Sequence, residues 1–117
     1  AILVAGEASL EDLNEKLEEP VPMNRFRANL IVSGSEPYAE DEWSSVAIGD
    51  VRLEFAKRCG RCLVTTADQL TGDRHPGEEP LRTLAQERKI GNAACFGSFY
   101  APRQAGEIRV GDDVTVA

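Results

Sequence analysis

Several short stretches of the chain alternate apolar and polar residues, a spacing that is typical of half-buried β-strands. Residues 51–55 alternate most regularly, and residues 46–48 precede them across the turn Gly49-Asp50, so the two stretches predict a β-hairpin. Further strands are predicted at residues 2–5, 28–32 and 95–101, and a second hairpin at residues 108–116 around Gly111-Asp112. These short strands make up most of the predicted structure.

Helical spacing of apolar residues occurs twice. Ser9 is suited to cap a first helix, which Pro20 and Pro22 end. The apolar face of this helix is formed by Leu10, Leu13 and Leu17. A second helix is predicted between Pro80 and Gly91. We therefore expect a mainly β fold, an antiparallel barrel-like sheet with two short helices at its ends, for which α+β is the alternative description.

Length and charge narrow the class of protein. A chain of 117 residues is long enough for one domain with one core. Its formal net charge of -7 argues against nucleic acid or an anionic membrane as the main partner. No apolar run approaches the roughly 20 residues of a membrane-spanning helix, and the apolar start lacks the length and basic flank of a signal peptide. Because the chain opens inside an apolar run without Met, we expect a part of a longer protein.

The chain has three cysteines, an odd number whose spacing resembles no secreted disulfide framework. This predicts a reducing, cytoplasmic location. Cys59 and Cys62 form a single CxxC pair, with Arg58 before the first and Arg61 before the second. Since positive charge favours a thiolate, this pair is a candidate for soft-metal binding.

Each reading of the CxxC pair has an ordinary alternative. Zinc needs two more ligands, and only Cys95 and His75 remain to supply them. A dithiol redox site requires a helix to start at the pair, whereas residues 63–66 are of strand type. Two half-buried thiols without a chemical role are an equal alternative.

Four arginines stand out in this acidic chain: Arg25, Arg27, Arg58 and Arg61. Together they are suited to bind a phosphate in bidentate fashion. The alternative, slightly favoured by the residues alone, is pairing with a solvated acidic loop at residues 40–42. Asn29 is suited to hydrogen-bond a polar ligand, with an ordinary turn or strand-edge role as the alternative. Trp43 is expected to pack over the sheet edge, and His75 to be a solvated side chain without a partner.

Seven segments together carry a family resemblance. They are residues 7–14, 24–30, 38–43, 48–51, 59–66, 79–84 and 106–112, which include Phe-Arg-x-Asn at 26–29 and Arg-Cys-x-x-Thr-Thr at 61–66. In these segments the chain resembles the MOSC domain, nearest the branch of the mitochondrial amidoxime-reducing components and their bacterial relatives. The resemblance implies a β-barrel type of fold, with an N-terminal barrel domain of the relatives missing from residues 1–117.

The resemblance also implies a site. It makes Cys62 the thiolate that holds the metal of a molybdenum–molybdopterin cofactor, and therefore the catalytic residue. It places the remaining cofactor contacts at Arg27, Asn29, Gly60, Arg61 and Phe99. Phe99 stands where relatives carry a Tyr, with Tyr100 next to it, so a hydroxyl contact is lost or moved.

The function implied by the resemblance is reduction of small N-hydroxylated compounds by the full-length protein. Electrons would come from an iron–sulfur or other electron-transfer domain, and this fragment is expected to be empty and inactive. Two alternatives stay open: a sulfur carrier, as in molybdenum cofactor sulfurase, and a binding module without activity. Pyridoxal phosphate binding is a further property known at the level of the family.

Overall fold

The computed structural model describes all residues, 1–117, of the chain. The strands are β1 (Ile2–Gly6), β2 (Leu30–Val32), β3 (Ser45–Ile48), β4 (Val51–Gly60), β5 (Lys89–Ile90), β6 (Ala93–Gln104) and β7 (Thr115–Val116). The helices are α1 (Glu7–Glu15) and α2 (Leu81–Glu87), and single 3₁₀ turns span Met23–Arg25, Ala39–Asp41 and Leu63–Thr66. No helix has both the length and the apolar composition needed to cross a membrane.

The sheet runs in the order β2-β1-β6-β4-β3-β7, with β5 paired to the start of β6. All pairs are antiparallel except β1 with β2. Val32 in β2 and Val116 in β7 belong to the two edge strands, yet both line one groove of about 320 Å³ together with Trp43. The sheet therefore curls into a half-barrel, and the predicted mainly β, barrel-like fold with two helices is confirmed.

Two apolar clusters lie on either side of the sheet. Inside the half-barrel, Val4, Val46, Leu53 and Tyr100 are the most deeply buried, and Trp43 packs against this cluster, as predicted. Outside it, α1 and α2 pack on the sheet through a second cluster, whose largest members are Leu13, Phe26, Leu84 and Phe96. Since β6 supplies Phe96 to one cluster and Tyr100 to the other, this long strand fixes how the helices sit on the barrel.

Some predicted boundaries are wrong. Helix α1 begins at Glu7 with Gly6 as its N-cap, so Ser9 lies inside the helix. The predicted hairpin at residues 108–116 is a turn, in which the amide of Asp112 bonds the carbonyl of Arg109, followed by β7, which pairs with β3. A two-residue β7 leaves no return strand for a hairpin.

The prediction of a solvated acidic loop at residues 40–42 is wrong for its first two members. Glu40 is fully buried and Asp41 is 6% exposed. The Glu40 carboxylate accepts hydrogen bonds from the amide of Gly6 at 2.8 Å and from the hydroxyl of Ser9 at 2.7 Å. Asp41 accepts a 2.5 Å hydrogen bond from Ser98 and forms ion pairs with arginines 58 and 88. Buried carboxylates are stable only with such partners.

His75 also differs from its predicted solvated state. Its Nδ1 accepts hydrogen bonds from the amides of Gly77 at 3.0 Å and Glu79 at 3.3 Å. The imidazole therefore organises the turn that leads into α2.

Candidate functional site

The first half of the site is the segment that follows β4, residues 60–66, which we call the cysteine loop. β4 ends at Gly60, so the thiols lie at a strand end, as predicted. The prediction that residues 63–66 are a strand is wrong, because they form a 3₁₀ turn. The hydroxyls of Thr65 and Thr66 donate to the carbonyls three residues earlier, at 2.9 and 2.6 Å, which stabilises that turn. Cys62 immediately precedes the turn.

The three thiols differ in accessibility. Cys59 and Cys95 are buried, 6% and 3% exposed, whereas Cys62 is exposed. Burial raises the pKa of both the Cys59 and the Cys95 thiol. Cys95 is the direct β-sheet partner of Gly60, so it lies beside the pair. Cys62 is thus the one thiol open to a ligand, although it lines neither the groove at Trp43 nor the one at His75.

The second half of the site is the segment before β2, residues 23–29, which we call the arginine loop. Arg27 is exposed, and its side chain makes no hydrogen bond or ion pair within the protein. Its backbone has a φ of 56°, in the left-handed region that costs a non-glycine residue about 1–2 kcal/mol. Such strain is concentrated at functional sites, where the surrounding structure maintains it.

Asn29 fixes the end of the arginine loop to β1. Its backbone N–H donates a hydrogen bond to the carbonyl of Leu3 at 2.9 Å. Its side-chain Oδ1 accepts one from the backbone N–H of Leu3 at 2.8 Å. The side chain thus continues the β1–β2 pairing by one step. Its remaining Nδ2 donors have no protein partner and are free for a ligand.

The two loops are in contact. Arg61 Nη1 donates to the carbonyl of Phe26 at 2.8 Å, and Arg25 Nη1 donates to the carbonyl of Thr65 at 3.3 Å. Arg27 and Cys62 are therefore held on neighbouring segments, although they are 35 positions apart in the sequence.

Guanidinium donors outnumber acceptors around this end of β4. Buried N–H groups without an acceptor occur in Arg25, Arg58, Arg61 and Arg88. Asp41 is the one buried carboxylate among them, and it forms ion pairs with Arg58 and Arg88. An unpaired buried donor is costly, so this surplus favours an anion.

A molybdenum–pterin cofactor fits these residues on chemical grounds. An exposed thiol is a soft metal ligand, and the free Arg27 is suited to a phosphate. No three His, Cys, Asp or Glu side chains come together, so a metal at Cys62 needs further ligands from a cofactor. The donor set and the surplus of cationic donors agree with such a group.

Gly60 and Phe99 occupy different surroundings. A Cβ on Gly60 would lie 3.0 Å from the Cβ of Ala93, so a side chain here would push β4 and β6 slightly apart. Phe99 pairs with Lys57, whose Nζ lies 5.8 Å from the ring centroid. Phe99 lies four positions beyond Cys95, the strand partner of Gly60, which is about 13 Å along β6. Its role in cofactor binding stays a prediction.

The hydroxyl of Tyr100 does not take the place of the missing Tyr. It donates to the carbonyl of Glu40 at 2.6 Å inside the half-barrel. Burial, followed by the charges of Asp41 and Glu40, raises the pKa of this phenol. The hydroxyl is therefore engaged in a hydrogen bond within the core.

Two contributors to this region were missed in the sequence, Arg88 and Ser98. Asp41 pairs with Arg58, as the alternative of pairing with the acidic loop predicted. The only signal available was that the acidic segment at residues 40–42 lies between the two arginine-containing loops along the chain. Leu63 and Val64 were also missed as surface residues: they are 38% and 49% exposed, while the threonines after them are buried.

The MOSC domain family profile matches residues 1–115. The chain is 46% identical over 122 residues to mitochondrial amidoxime-reducing component 1 of Mus musculus, covering 96% of this chain and 35% of that protein. It is 42% identical over 120 residues to component 1 of Homo sapiens, with the same coverage. The chain thus spans about a third of the length of these curated relatives.

The fold is shared with a solved structure. YiiM from Geobacillus stearothermophilus superimposes with a TM-score of 0.67 at 15% sequence identity, covering all of this chain and 54% of that protein. This likeness concerns the fold alone.

Parts of the functional prediction need correction. The cytoplasmic location is wrong, because the curated relatives are mitochondrial by name. Sulfur carriage and pyridoxal phosphate binding find no support in those relatives, which are named for amidoxime reduction. Since the family profile spans nearly the whole chain, this chain belongs to the MOSC domain family.

Proposed function

We propose that this chain is the molybdenum-cofactor-binding domain of an oxidoreductase that reduces N-hydroxylated compounds. The observation that carries the proposal is the placement of Cys62, an exposed thiol on a loop tied to the one that presents the unpaired Arg27. The names of the relatives, amidoxime-reducing components, support the substrate class and a mitochondrial setting.

Each residue has a proposed part. Cys62 Sγ binds the metal, and Arg27 binds an anionic phosphate of the cofactor. Gly60, where a side chain would meet Ala93, keeps β4 and β6 close at the base of the cysteine loop. When bound, the molybdenum–pterin group supplies the oxygen-atom and electron chemistry. The protein's task is to hold and orient that group.

The remaining parts of the activity lie outside this chain. It spans about a third of its curated relatives, so we propose that an N-terminal barrel domain completes the site. An iron–sulfur or other electron-transfer domain would deliver electrons to it. A small N-hydroxylated compound is the proposed substrate.

The test uses the full-length parent protein, purified from a molybdenum-sufficient host. Molybdenum and pterin per chain are measured, together with reduction of a simple aryl amidoxime by a reduced viologen dye. We expect Cys62→Ser to abolish molybdenum retention. Cys59→Ala is the matched control, because it removes the buried thiol of the same pair, and it should retain most of the metal.

Other outcomes have distinct meanings. Equal loss of molybdenum in both variants, or zinc in its place, would contradict the assignment of Cys62. A persulfide on Cys62 without retained molybdenum would support a sulfur carrier instead. A parent protein without metal, persulfide or activity would indicate an inert binding module.

A further inference from the structure

The two loops of the site are joined by a reciprocal pair of contacts. Arg25, on the arginine loop, donates to the carbonyl of Thr65 on the cysteine loop at 3.3 Å. Arg61, on the cysteine loop, donates to the carbonyl of Phe26 on the arginine loop at 2.8 Å. Each loop thus supplies one guanidinium and one backbone acceptor to the other. We propose that Arg25 and Arg61 are positioning residues, forming a clasp that sets the distance between Arg27 and Cys62.

The surroundings of Arg61 support this role over direct contact with a ligand. Its Nε donates to the carbonyl of Phe96 at 2.9 Å, so the guanidinium fork joins three segments of backbone. Its third nitrogen, Nη2, is buried and lies 3.4 Å from the position that a Cβ on Gly97 would take. Gly97 has a φ of 80° and no side chain, so β6 leaves room for the guanidinium. Two of the three nitrogens of Arg61 are thus engaged by backbone carbonyls, which fits a positioning role.

Charge and shape both contribute to the clasp. The Arg61 guanidinium lies 5.4 Å from the centroid of the Phe26 ring, and that ring stacks on Phe96 at 4.0 Å. A lysine keeps the charge but lacks the planar fork that satisfies two carbonyls at once. Arg61→Lys therefore tests the hydrogen-bonding geometry of the side chain while its positive charge stays the same.

The consequence rests on the proposed function. A cofactor that binds Cys62 through its metal and Arg27 through its phosphate spans both loops. Its binding then depends on the spacing between the loops, which Arg27 and Cys62 do not set themselves. Of the two arginines to which the resemblance gave cofactor contacts, only Arg27 keeps a direct contact in this proposal.

The first experiment needs no cofactor. Amide hydrogen exchange is measured in the full-length protein from a molybdenum-free host. In Arg61→Lys the Phe26 amide, bonded to the carbonyl of Met23 at 3.0 Å, should exchange at least about tenfold faster. In Arg25→Lys the Thr65 amide, bonded to the carbonyl of Cys62 at 3.2 Å, should likewise exchange at least about tenfold faster. The matched control, Arg27→Lys, should change neither.

The second experiment measures how fast molybdenum is lost from the full-length protein during gel filtration. Arg61→Lys should lose it roughly tenfold faster than wild type or more, and Arg27→Lys much less. The double variant Arg25→Lys/Arg61→Lys should lose molybdenum more slowly than the product of the two single-variant rate increases predicts. The two effects are not independent, because both arginines act on the same loop spacing.

Each outcome decides between interpretations. Faster molybdenum loss in Arg61→Lys with unchanged exchange at Phe26 would overturn the clasp and support direct contact. Unchanged exchange and retention would overturn it as well. If Arg61→Lys does not fold, the effect of Arg25→Lys on Thr65 decides. A wild-type protein without molybdenum would contradict the proposed function, while the exchange experiment would still test the clasp.

Discussion

The hydroxyl of Ser9 lies 2.7 Å from a carboxylate oxygen of Glu40, and both side chains are fully buried. The same carboxylate accepts the amide of Gly6, the N-cap of α1. Glu40 therefore caps the positive end of α1 from 31 positions away in the chain and ties the 3₁₀ turn Ala39–Asp41 to the sheet. The helix is thus anchored to the barrel by a buried carboxylate.

Glu40→Ala should lower the free energy of unfolding by about 2–4 kcal/mol, because it leaves the Gly6 amide and the Ser9 hydroxyl buried without an acceptor. Urea denaturation of the parent protein measures this. Glu40→Gln, which keeps the shape and one acceptor oxygen, should cost clearly less. Equal midpoints for Glu40→Ala and wild type would show that the carboxylate does not stabilise the fold.

The sequence predicted the sheet better than the site. The hairpin around Gly49-Asp50 follows from local alternation and turn chemistry, and it is confirmed. The burial of Glu40 is not a local property. It depends on a helix N-terminus contributed by a distant segment, and an acidic run has the same pattern whether it is solvated or enclosed.

The same limit applies to the 3₁₀ turn after Cys62. Leu63 to Thr66 have strand propensity, but the two threonine hydroxyls bond back to carbonyls three residues earlier and override it. The family resemblance indicated Cys62 and Arg27, whereas the contacts between their loops required the structure.

Cys62 should be the fast-reacting thiol of the three. It is exposed, whereas Cys59 and Cys95 are buried and burial raises the pKa of both thiols. Cofactor-free protein treated with Ellman's reagent at pH 8 should show one fast and two slow equivalents within this domain. Cys62→Ser should remove the fast phase, and Cys59→Ala should leave it. A fast phase that survives Cys62→Ser would contradict the assigned exposure.

Alkaline pH should destabilise the fold. The pKa values of the Cys59 and Cys95 thiols are raised, so the folded protein holds these protons more tightly than the unfolded chain. The stability that these two protonated thiols contribute to the fold is fully present below about pH 8.5. It is lost as the pH rises through their raised pKa values in the folded protein. The urea midpoint should therefore fall between pH 8 and 10. The double variant Cys59→Ala/Cys95→Ala should show a flatter fall, and an equally steep one would exclude these thiols as the cause.

Arg27→Gly should have opposite effects on stability and on cofactor binding. Glycine adopts a φ of 56° without the cost that arginine bears, so the free energy of unfolding should stay level or rise by up to about 1 kcal/mol. Retention of molybdenum by the full-length protein should fall roughly tenfold or more, because the unpaired guanidinium proposed to bind the phosphate is gone. Arg27→Lys is the matched control: it keeps the charge and the strained backbone, and should retain most of the cofactor. If Arg27→Gly unfolds the domain, or retains molybdenum as wild type does, Arg27 is a structural residue and the phosphate contact lies elsewhere.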